Sequence, residues 1–146
     1  MDGKRKCLCG PSDIRIVACS GGSNVGQIAN QAAIELTKQE VGRFFCLAGI
    51  GAHLKGMADS ARGADAIVAI DGCPVQCARK TLEHAGFEPG VHVVVTNLGI
   101  EKSSDMDISL KDCSIIVERV KEEMGLKRPV SSTCLDRGER TCDYVE

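Results

Sequence analysis

Cys19, Cys46 and Cys73 recur at equal intervals along the chain, and Cys77 follows Cys73 in a Cys-x-x-x-Cys pair. Deprotonated thiols are soft metal donors, and when left free they are nucleophiles. Four of them complete a tetrahedral shell, with zinc–sulfur distances of about 2.3 Å. The expectation is one transition-metal site, with zinc as the ion and Cys19, Cys46, Cys73 and Cys77 as ligands. A shell closed by four thiolates keeps no position for a substrate water, which points to metal handling, sensing or redox rather than hydrolysis. The chain holds nine cysteines in 146 residues, an odd number that cannot all pair. With a good core pattern and no export signal, metal or thiol chemistry explains them better than a disulfide framework.

Such distant cysteines meet only if the fold brings them together. Short apolar runs ending in Gly or Asn turns predict strands over Ile14–Ala18, Phe44–Leu47, Ala66–Ile70 and Val91–Thr96. Helical spacing is set by Val25, Ile28, Ala29, Ala32 and Leu36 after a Ser23 or Asn24 cap, and by Cys113, Ile116, Val117, Val120 and Met124. Between these lie a shorter helix over Leu54–Arg62 and one over Pro74–His84, with Pro first and Gly86 just past the end. The alternation predicts an α/β fold: a small doubly wound, Rossmann-like or flavodoxin-like sheet of about four mainly parallel strands flanked by helices. Parallel strands end at one edge, where open α/β sheets bind their ligands. Cys19, Cys46 and Cys73 fall at three strand ends, and Cys77 falls one helical turn beyond Cys73.

The surroundings suit thiolates. The loops Cys19-Ser-Gly-Gly-Ser and Leu47-Ala-Gly-Ile-Gly can bring N–H groups to the sulfurs, and Arg79 and Lys80 add positive charge. Asp71 reads as a turn or supporting residue, since a carboxylate ligand would worsen the charge balance. Glu101 and Lys102 reach the same edge and read as exposed loop charges, with an anion contact through Lys102 as the alternative.

The stretches Ala18-Cys19-Ser20-Gly21-Gly22-Ser23-Asn24-Val25-Gly26-Gln27 and Asp71-Gly72-Cys73-Pro74-Val75-Gln76-Cys77-Ala78 resemble the DGC-domain family, named for the Asp-Gly-Cys here at Asp71-Gly72-Cys73. The resemblance covers about residues 14–125. It implies a zinc-binding protein whose four characteristic cysteines fall on Cys19, Cys46, Cys73 and Cys77, the set reached from the strand ends.

Two other chemistries use the same residues. A thiol-dependent enzyme of phosphatase, sulfurtransferase or redox type would attack through Cys19 or Cys73. Cys73 and Arg79 have the Cys-x5-Arg spacing of an oxyanion cradle, but a helix starting at Pro74 would leave no open loop. The loop after Cys19 is glycine-rich but has Val25 where the Arg is needed. An iron–sulfur cluster needs the same four thiols. A dinucleotide or P-loop site is disfavoured by the glycine spacing and the missing Lys.

Cys7, Cys9, Cys134 and Cys142 read as unpaired thiols of the termini, with a second four-thiolate site as the alternative. Cys113 reads as core. His53 is a lesser candidate ligand, His84 a helix-end charge, and His92 a strand residue without an evident partner; Met57, Met106 and Met124 read as packing. A net charge of −2 gives no reason to expect nucleic acid, and no apolar segment is long enough to span a membrane. The metal ion is thus the expected partner and the cytoplasm the expected compartment. Residues 1–126 read as a single α/β metal-binding domain and 127–146 as a polar, cysteine-containing tail.

Overall fold

A computed structural model describes residues 13–126. Four parallel strands, β1 (Ile14–Ala18), β2 (Arg43–Phe44), β3 (Ala66–Asp71) and β4 (Val91–Val94), form a sheet in the order β2-β1-β3-β4. Helices α1 (Asn24–Lys38), α2 (Leu47–Gly51), α3 (Lys55–Arg62), α4 (Cys77–His84) and α5 (Leu110–Glu123) complete it, with a 3-10 turn over Val95–Leu98 after β4. The fold is a small doubly wound α/β sheet.

The strands read as continuous apolar runs because both faces are covered. On one face, Ile16, Ala18, Val68 and Ile70 pack against α1 and α5 through residues such as Ile28, Leu36, Ile116 and Val120. On the other, Val17, Ile67 and Ala69 meet Ile50 of α2, Ala61 of α3 and Leu82 of α4. From β1 the chain crosses to β2 on one side and then returns to β3 on the other. The winding therefore reverses between the C-terminal ends of β1 and β3, which is where doubly wound sheets open a ligand crevice.

Three expectations are corrected. The second strand is Arg43–Phe44 rather than Phe44–Leu47. Its ladder ends with the Phe45 N–H donating to Ile16 O at 2.7 Å, and Leu47–Gly51 turns into a helix. A four-residue apolar run has no period that separates strand from helix. The fourth strand stops at Val94, and Val95–Leu98 turns. Finally, α4 begins at Cys77, not Pro74, because Gln76 takes a left-handed conformation (φ 58°). Cys73 and Cys77 are thus joined by a loop and not by a helical turn.

Ser23 caps α1, accepting the Gly26 N–H at 3.3 Å. Gly86 and Gly125, with φ of 83° and 72°, follow the ends of α4 and α5. No helix among the described residues is long and apolar enough to cross a membrane. Cys7, Cys9, Cys134, Cys142 and the tail over 127–146 lie outside the described residues.

Candidate functional site

Cys19 leaves β1 directly at the winding reversal, its N–H still donating to Ile70 O of β3 at 3.1 Å. Its Sγ accepts the Gly72 N–H at 3.2 Å. Burial pushes this thiol up; the N–H groups of Gly21 and Gly72 pull against that, while Asp71 and Cys77 push with it. Two close backbone approaches bring these loops together. A Cβ on Gly26 would stand 2.6 Å from Gly21 N, and one on Gly72 would stand 2.8 Å from Gly26 N. Only glycine permits the loop after β1, the first turn of α1 and the loop after β3 to stack in this way. Ser20 and Gln76, beside Cys19 and Cys77, both hold left-handed φ values (46° and 58°). Such strain is found where surrounding structure over-determines a functional loop.

Cys46 is the N-cap of α2, its Sγ accepting the Gly49 N–H at 3.3 Å. Helices α2 and α4 lie side by side. A Cβ on Gly51 would stand 3.0 Å from Thr81 Cγ2, and His53, just past α2, meets His84 at the end of α4. One turn back from Gly51 and Thr81 stand Leu47 and Cys77, so Cys46 and Cys77 open the two helices at the same end. Both are exposed, whereas Cys19 and Cys73 are half-buried.

Cys73 has a cationic neighbour, Lys102 Nζ, 3.5 Å from its Sγ. The long connection over residues 99–109 brings it there. Asn24 ties that connection down three times: its Nδ2 donates to Glu101 O (2.8 Å), its Oδ1 accepts the Ser103 N–H (2.6 Å), and its own N–H donates to Ser103 O (3.1 Å). Sequence reasoning read Lys102 as an exposed loop charge, with an anion contact as the alternative; it is exposed, and what the sequence did not show is the thiol beside it. The clue was loop length, since connections without secondary structure are usually much shorter in α/β units.

Asp71 is fully buried. Its carboxylate accepts the Ala78 N–H at 2.7 Å and the Arg79 N–H at 3.1 Å, and lies 2.9 Å from His92 Nε2. A loop does follow Cys73, contrary to the expectation that Pro74 starts the helix. However, the amides at the start of α4 that an oxyanion would occupy already serve Asp71. Arg79 also turns its guanidinium along the helix to Glu83 (2.8 Å) and away from Cys73. The two halves of the oxyanion cradle are committed elsewhere. His92, for which the sequence offered no partner, is the partner of Asp71, and Cys113 is core, as expected.

The donor chemistry suits a thiolate metal site: the four thiols are free, and three of them accept bonds from N–H or ammonium groups. Their arrangement does not close a coordination shell. Among the described residues, no group of three or more His, Cys, Asp or Glu is placed to hold a metal ion. His53 stands with His84 and not with the thiols.

A family model described as "DGC domain" matches residues 15–120 of the chain. The "Anaerobic and virulence modulator AnvM" of Pseudomonas aeruginosa is 31% identical over 116 residues, covering 77% of this chain and 88% of that protein. No solved structure matches the chain.

Proposed function

The chain belongs to the DGC-domain family, and from that membership we propose that it is a zinc-binding protein whose ligands are the thiolates of Cys19, Cys46, Cys73 and Cys77. The observation that supports the reading is that Cys19, Cys46 and the Cys73–Cys77 loop each follow the C-terminal end of a strand, β1, β2 and β3, about the point where the sheet reverses its winding. Gly72 and Gly49 N–H groups and the Lys102 ammonium, set against three of the sulfurs, would offset the excess negative charge of such a shell. Loading requires the Cys19 and Cys73 loops to draw inward, since the thiols stand short of a shared shell. A four-thiolate site is closed to substrate, so the role is metal handling or sensing. A relative named as a modulator agrees with a sensing role.

Elemental analysis of anaerobically purified protein, with Cys19→Ser and Cys73→Ser variants, tests this. The expected result is about one zinc per chain, as one tetrahedral set of four thiolates allows, lost in both variants. Iron with matching sulfide would keep the ligands and change the cofactor to an iron–sulfur cluster. Metal-free protein with one rapidly alkylated thiol would overturn metal binding in favour of a thiol enzyme.

A further inference from the structure

His53 and His84 stand apart from the thiol edge. Along α4, His84 lies seven residues beyond Cys77, about 10 Å at 1.5 Å per residue. His53 Nε2 and His84 Nδ1 are 3.2 Å apart, with ring centroids 5.2 Å apart and planes inclined at 62°. Both residues are exposed. His53 is held toward its partner by a left-handed backbone (φ 53°), which a residue with a Cβ seldom adopts.

Metal–nitrogen bonds of about 2.0–2.1 Å put neighbouring ligand atoms about 2.9 Å apart at a right angle and about 3.3 Å apart at the tetrahedral angle. The observed spacing lies between these limits. We propose that His53 and His84 form a second metal site, a two-imidazole clamp for divalent ions of the zinc, nickel and copper class, with solvent completing the shell. Imidazole nitrogen suits these ions, whereas calcium and magnesium require oxygen ligands. Of the nearby cations, Lys55 pairs with Asp59 at 2.6 Å and Arg79 with Glu83 at 2.8 Å, while Lys80, one turn before His84 on α4, is exposed to solvent. In the absence of metal, a single imidazole proton holds the same two nitrogens together. The clamp does not depend on metal binding by the thiols.

The test titrates Ni²⁺ into the full chain while histidine ring signals are followed by NMR. The variants are His53→Asn, whose side chain tolerates the left-handed backbone, and His84→Gln. The His53 and His84 rings should respond together and before His92, and the response of the surviving ring should disappear in either single variant. An unchanged His84 response in His53→Asn, or no response of either ring in the unmodified chain, would reduce the pair to a hydrogen bond and overturn the proposal. Zinc content of the same variants separates the two sites. Its retention keeps the clamp distinct, whereas its loss would make both histidines part of the thiol centre and overturn the two-site assignment.

Discussion

Asp71 has no solvent contact, yet its carboxylate meets the amides of Ala78 and Arg79 and the ring of His92. Buried donors left without an acceptor each cost about 1–3 kcal/mol. Asp71→Ala should therefore destabilise the fold by about 2–4 kcal/mol, read from urea denaturation followed by circular dichroism. A loss under about 0.5 kcal/mol, the range of ordinary surface substitutions, would show that water replaces the carboxylate and that it does not pin α4. From the sequence, Asp71 was legible as a turn or supporting residue, but not as the acceptor that holds the start of α4. Its partner His92 lies on the neighbouring strand, and strand adjacency is a tertiary fact. The cysteines were more legible, because strand ends in a parallel sheet share an edge whatever the loop details.

At the scale of elements, the connection over 99–109 behaves as a strap fastened by Asn24 and carrying Lys102 to Cys73. Asn24→Ala removes both side-chain bonds while leaving the Ser23 cap of α1 in place. Amide exchange over residues 101–105 should then accelerate while that of α1 stays constant. Equal acceleration in α1 would mean that Asn24 supports the helix rather than the strap. Long elements with a clear period, α1 and α5, followed from the spacing of their apolar residues. The short ones did not: α2 was hidden in an apolar run, and the start of α4 is set by Gln76 and by the Asp71 carboxylate. Tertiary bonds decide such ends, since a single turn contributes little stability of its own.

For the whole molecule, burial sets a pH response. Burial pushes the Cys19 thiol above its ordinary 9.0, aided by the charges of Asp71 and Cys77. It does the same to Cys113, aided by Asp112. A thiol raised on folding keeps its proton more tightly in the folded chain, so its contribution is complete below the unfolded value and declines as pH rises through the folded one. In metal-free protein, stability should fall above pH 9.0, the ordinary thiol value, and less steeply in Cys113→Val. Denaturation midpoints between neutral and alkaline pH check this, and parallel curves for the two proteins would refute it.

The sequence by itself determined the parallel α/β class, the long helices and the thiol-bearing edge, because burial on two faces and the length of a βα unit are written in residue periodicity. Tertiary structure alone decided which partners those residues take: Gly72 against Gly26, Lys102 against Cys73, His92 against Asp71, and His53 against His84. These are contacts between segments distant in the chain. Local spacing records which face a side chain is on, but the neighbour it meets depends on how the loops close.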